Sequence, residues 1–195
     1  MAFDGMDELD ALGPLEVLRS AEAGGAPFTT RLVGLDGVAQ VVGSHGLRVS
    51  LDGSWMAGAE VVVVPGGGWA SRSDTGTWGE VRRGTWLPLL AAAHAEGAVM
   101  ASVCTGALLL AAAGIVGKRR ASTHHRSRAD LALTGATVTH DRVVDEGDLV
   151  TSGGVTSGLD LALWLVERFW SAGAADAVAA EMEYERFRPA VRPGR

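Results

Sequence analysis

The stretch AVMASVCTGALLLAAAGIVGKR, residues 98–119, decides how this chain reads. Ala98 to Val103 are small or apolar and read as a buried strand. Cys104, Thr105 and Gly106 follow, and Ala107 to Ala113 is an unbroken run of strong helix formers. A strand that passes into a helix within one or two residues makes a sharp elbow. The residue at its corner is pushed out at the carboxyl edge of the sheet, where open α/β folds carry their sites. The helix that follows turns free N–H groups and a positive dipole end towards that corner. A thiol there is expected to ionise easily, at about 3.5–7.5 instead of about 8.5. A lone cysteine is most often a small buried hydrophobe. The strand–Cys–Thr–Gly–helix setting reverses that preference, because a core cysteine needs no elbow. The turn resembles the serine nucleophile elbow in mechanics only, since Ser102-Val103-Cys104-Thr105-Gly106 does not fit G-x-S-x-G.

Two more glycine-bearing turns follow apolar strands. Glu60 to Val64 runs into Pro65-Gly66-Gly67-Gly68, and Leu149 to Ser152 runs into Gly153-Gly154-Val155-Thr156-Ser157-Gly158. The all-valine strand is of the kind buried on both faces of a parallel sheet. Between these strands lie helical segments at 85–96, 126–133 and 159–170. A helix beginning at Gly13-Pro14 precedes them, and a last one spans 174–187. Residues 38–42 and 47–51 read as a hairpin closed by Gly43-Ser44-His45-Gly46. Strands alternating with helices predict an α/β sandwich with a mostly parallel sheet. In such a sheet the turns after the strands share one edge, so the three glycine turns are expected around one pocket.

The chain has 195 residues, which suits a single domain over 1–195, with 188–195 as a flexible basic tail. It is 47% hydrophobic, enough for a sizeable core, and its net charge of −6 argues against nucleic acid as a partner. One cysteine excludes an internal disulfide and fits a reducing compartment. The N-terminus has no signal-peptide pattern, and no apolar run reaches membrane-spanning length. A cytoplasmic location with no membrane partner is the resulting expectation. No His/Cys/Asp spacing matches a metal site, so neither a metal nor a cofactor is expected.

Several side chains are candidates for chemistry at the shared edge. Backbone N–H groups of Gly67 or Gly68, with that of Thr105, are suited to an anion-stabilising hole beside Cys104. Asp10 lies in the turn ahead of the first helix and can face the same pocket, though spacing alone does not select it. Asp7 and Glu8 read as helix-dipole partners. A Cys–His pair is a common nucleophile arrangement. Nothing in the spacing fixes the distance from Cys104 to His124-His125, and the flanking arginines suggest solvated histidines.

The segments FDGMDELDALGPLEVL (3–18), VVVVPGGGW (61–69), SVCTGALLLAAAGIVGKRRASTHH (102–125) and HDRVVDEGDLVTSGGVTSGLDLALWLVE (140–167) together resemble the PfpI/DJ-one superfamily. Within it the chain is similar to the isocyanide hydratases and to the sensor domains of AraC-type regulators. The resemblance implies an α/β, flavodoxin-like three-layer sandwich, usually in a homodimer, with a strained nucleophile-elbow cysteine and a small-molecule substrate. It matches Cys104 to the nucleophile, Asp10 to the carboxylate that contacts it, and Thr105 to the threonine beside it. It matches Gly67 and Gly68 to the opposing backbone donors and Thr156 to a pocket wall. Trp69, at the end of the same match, joins the expected substrate-binding residues. The implied reaction is hydration of an isonitrile to an N-substituted formamide. The alternatives are a regulator's sensor domain and a stress-response glyoxalase, deglycase or redox sensor. A regulator needs about 100 further residues for its DNA-binding part, which weighs against the first. Two departures stand out. The family's first strand has several more residues than precede Phe3 here, so either translation starts upstream or an inner strand is shortened. Hydratase-like members commonly have Thr-His-Trp where this chain has Thr123-His124-His125.

Overall fold

A computed structural model describes residues 1–187; the expected flexible tail, 188–195, lies outside the described residues. In chain order the elements are α1 (Glu8–Ala23), β1 (Val33–Gly34), β2 (Gln40–Val42), β3 (Arg48–Ser50), β4 (Gly53–Ser54), β5 (Val61–Val64), α2 (Gly76–Arg83), α3 (Trp86–Ala95), β6 (Val99–Ser102), α4 (Gly106–Ala112), β7 (Arg120–Ala121), α5 (Arg128–Leu133), β8 (Thr137–Val138), β9 (Val143–Asp145), β10 (Leu149–Ser152), α6 (Ser157–Phe169) and α7 (Ala172–Glu181).

The central sheet has the order β5-β6-β10-β9, with only the β9–β10 pair antiparallel. Side chains alternate across it as the pleat requires. Val62, Val64 and Met100 pack with Leu108, Leu109 and Leu110 of α4 on one face. Val61, Val63, Ala101 and Val103 pack with Leu161, Trp164 and Leu165 of α6 on the other. Helices α2 to α5 cover the first face, and α1, α6 and α7 the second. This is the expected flavodoxin-like sandwich. The three leucines of α4 are at most 2% exposed, and burial of each contributes about 1.5–3 kcal/mol.

Met1 to Phe3 run between β1 and β5. Ala2 N–H donates to Val33 O at 2.8 Å and the Met1 amine donates to Val63 O at 2.9 Å, which joins the β1–β4 pair to β5. The first helix departs from expectation. It begins at Glu8, capped by Asp7 Oδ1 accepting from Leu9 N–H, so Pro14 sits inside it and Asp10 is on its first turn. Proline is tolerated there because the Gly13–Pro14 segment lies against Leu159 and Gly158 of α6, and that packing outweighs a lost helix bond. Glu8 does more than complement the dipole. Its carboxylate accepts from the His45 and Leu47 N–H groups and pairs with His45 Nδ1 at 2.6 Å, which ties the β2–β3 turn to α1.

Candidate active site

The ends of β5, β6 and β10 meet as the topology demands, and hydrogen bonds lace their turns together. Val103 N–H donates to Val64 O and Cys104 N–H to Gly153 O at 2.9 Å. Thr123 Oγ1 donates to Cys104 O at 2.7 Å. Cys104 has φ +58°, a left-handed conformation that costs a non-glycine residue of order 1–3 kcal/mol and is held by those bonds. Glycine is required on either side of the elbow. A Cβ on Gly106 would lie 2.2 Å from Val64 O, and one on Gly66 would lie 2.4 Å from Thr105 N. The strand, the turn and the helix therefore approach one another more closely than any side chain permits.

Asp10 projects from α1 into this junction and is fully buried. Its Oδ2 accepts from Gly66 N–H at 3.0 Å, while Oδ1 is buried without a well-formed hydrogen bond. The carboxyl is within reach of the Cys104 thiol and the Val155 N–H. Burial, reinforced by the Asp7 charge, pushes its pKa up from the ordinary 3.8 to about 7. The thiol departs from expectation. Burial and the adjacent Asp10 push the Cys104 pKa up, against the pull of the Thr105 and Val155 N–H groups. The corner of the elbow is not solvent-exposed, since Cys104 is 6% accessible, and desolvation outweighs the helix end. At neutral pH the pair therefore consists of a protonated thiol beside a carboxyl near its midpoint.

The other expected residues divide into two groups. Thr105 is in the junction, but its hydroxyl accepts from Gly67 N–H at 2.9 Å and contacts Thr77 Oγ1 at 3.2 Å. Its side chain thus clamps the two turns, and its N–H acts on the sulfur. Because the Gly67 N–H is engaged, it is not a free anion donor. The donor opposite Thr105 is Val155, a residue that sequence reasoning did not select. Gly68 lines a separate cavity of about 530 Å³ with Asp4, Gly43, Ser71, Ser73 and Thr75. Trp69 is packed edge-on against Trp78, and its Nε1 donates to Asp130 at 2.6 Å. Thr156 is exposed and accepts from Arg142 at 3.1 Å.

A second cavity, of about 310 Å³, adjoins the elbow on the β10 side. Its walls include Thr123, Gly153 and Val155, the same residues that hold Cys104. His124 is half-buried in this wall instead of solvated, and its ring lies where a Cβ on Gly154 would stand. Burial, then the neighbouring His125 and Arg126, lower its pKa. Among the described residues no group of three His, Cys, Asp or Glu side chains is arranged to hold a metal ion.

A left-handed cysteine at a strand–helix elbow, with a buried carboxyl against it, defines an α/β protein of the cysteine-elbow type. The DJ-1/PfpI family model matches residues 1–168, and the chain belongs to that family. It is 32% identical over 186 residues to the isonitrile hydratase of Pseudomonas putida, covering 94% of this chain and 76% of that one. The fold is similar to that of a ThiJ/PfpI family protein from Pseudomonas syringae, with a TM-score of 0.84 at 27% identity over 96% of this chain and 74% of that one. It is also similar to an AraC family transcriptional regulator from Pseudomonas putida, with a TM-score of 0.77 at 22% identity over 92% and 95% of the two chains. That last likeness is one of fold alone. Among the described residues no helix is long and apolar enough to cross a membrane.

Proposed function

We propose that the protein is an isonitrile hydratase-type lyase that uses the Cys104–Asp10 pair and needs no cofactor. The observation that carries this reading is the carboxyl with a pKa near 7 held against a protonated thiol, in a chain homologous to an isonitrile hydratase. A group poised near the working pH can both accept and return a proton. Asp10 takes the thiol proton as Sγ bonds to the terminal isonitrile carbon. It then gives that proton to the same carbon, leaving a thioimidate, R–N=CH–S–Cys104. Water adds across the C=N bond, the C–S bond breaks, and R–NH–CHO leaves as the thiol recovers its proton. The Thr105 and Val155 N–H groups stabilise charge on the sulfur in both directions. Overall, one isonitrile and one water become one formamide.

The test is an assay of the purified protein against cyclohexyl isonitrile and, in parallel, methylglyoxal. Formation of N-cyclohexylformamide without lactate supports the hydratase. Lactate from methylglyoxal with the isonitrile unconsumed replaces it with a glyoxalase.

A further inference from the structure

The cavity beside the elbow is lined by cationic and imidazole groups: His124, His125, Arg128, His140 and Arg142. Asp141 is the acidic side chain in its lining, and that carboxylate is bonded to Arg120 at 2.9 Å. Arg142 is neutralised by the buried Asp160. Arg128 is different. Its Nη1 donates to His140 Nδ1 at 3.0 Å, its Nε is buried without a hydrogen-bond partner, and it has no carboxylate partner among the described residues. A guanidinium on a pocket wall with no carboxylate beside it is free to pair with a ligand's negative charge through charge-assisted hydrogen bonds. The donor from Arg128 also leaves His140 Nδ1 as an acceptor, so the imidazole presents its own N–H at Nε2.

We infer that this cavity binds the carboxylate of the substrate, with Arg128 as its counter-ion, so that the substrate class is a small isonitrile bearing one carboxylate. The inference rests on the hydratase reading, because it assumes that the occupant of the cavity reacts at Cys104. Shared walls at Gly153 and Val155 put a bound ligand next to the elbow. The volume, about 310 Å³, lies at the small end for ligand pockets and suits an amino-acid-sized molecule.

Calorimetry with N-formylglycine and its uncharged primary amide tests binding without any turnover. The parent should bind the acid at least about tenfold tighter than the amide, which is the order expected of one charge-assisted hydrogen bond. Arg128→Gln should abolish the preference, and Arg128→Lys should keep part of it. Raising the salt concentration should weaken binding of the acid and not of the amide, which tests the parent even if Arg128→Gln does not fold. Equal binding of the two ligands by the parent, or an acid preference that survives in folded Arg128→Gln, overturns the inference. Turnover then separates the two readings. If the acid preference is present but neither isocyanoacetate nor its methyl ester gives a formamide, the hydratase assignment fails and the anion pocket stands.

Discussion

At the scale of single residues, Asp10 is where chemistry and stability conflict. Its folded pKa, about 7, lies above the ordinary 3.8, so between these values the folded protein retains a proton that the unfolded chain releases. Stability therefore falls as pH rises from about 4 and levels off above about 7, a loss on the order of 4 kcal/mol at most. Asp10→Asn cannot ionise, so its urea midpoint should lose this dependence between pH 5 and pH 8. An unchanged slope would show that the carboxyl is not held neutral. The same substitution removes the negative charge beside Cys104, so the thiol should titrate at a lower pH than in the parent, as followed by ultraviolet absorbance. Val155 acts on the same pair through its backbone. Its φ of +44° is an outlier for a β-branched residue, and its contribution to the site is a backbone N–H. Val155→Gly should gain about 1 kcal/mol by relieving strain and leave turnover within a few-fold of the parent. Asp10 was reachable in the sequence only through the family resemblance. Val155 left no sequence signal, because a left-handed site next to Gly153-Gly154 would be expected to carry glycine. The thiol's ionisation was misjudged because burial depends on elements distant in sequence.

At the scale of elements, the junction of β5, β6 and β10 was legible because each strand is a short apolar run that ends in glycine. Parallel pairing then brings all three turns to one edge. The physical requirement behind Gly106 is the approach of its Cα to Val64 O. Gly106→Ala should therefore cost several kcal/mol, beyond the usual range for a point substitution, with a correspondingly lower melting temperature. A variant with parental stability would mean that the strand and helix separate easily. The start of α1 was misread for a different reason. Pro14 reads as a first-turn residue, while the Asp7 cap that actually begins the helix is one acidic residue among several. His124 was misjudged as well, since the arginines around it suggested solvent and the packing against Gly154 lies 30 positions away.

At the scale of the whole molecule, Leu9, Val42 and Leu47 are 41%, 38% and 50% exposed, and Glu8 binds the start of α1 to the β2–β3 turn that bears the last two. An apolar surface of this kind is suited to a two-fold interface. Sedimentation at micromolar concentration should give about twice the 20.1 kDa chain mass, and Leu47→Glu should shift the protein to monomer. A monomeric parent would contradict the homodimer that the family resemblance implies. The sandwich itself was legible throughout, because alternation of strands and helices is a property of local sequence. The chemistry is not, since it arises where α1, three strand ends and the β7–α5 connection converge. The proposed mechanism requires Cys104 and Asp10 to work as one proton-sharing unit, and the direct test is formamide production from cyclohexyl isonitrile by the parent, Cys104→Ser, Asp10→Asn and the double variant. The prediction is measurable turnover by the parent, a loss of at least about a hundredfold in each single variant, and a double variant no worse than the poorer single one. Near-parental turnover by folded Asp10→Asn would contradict the account.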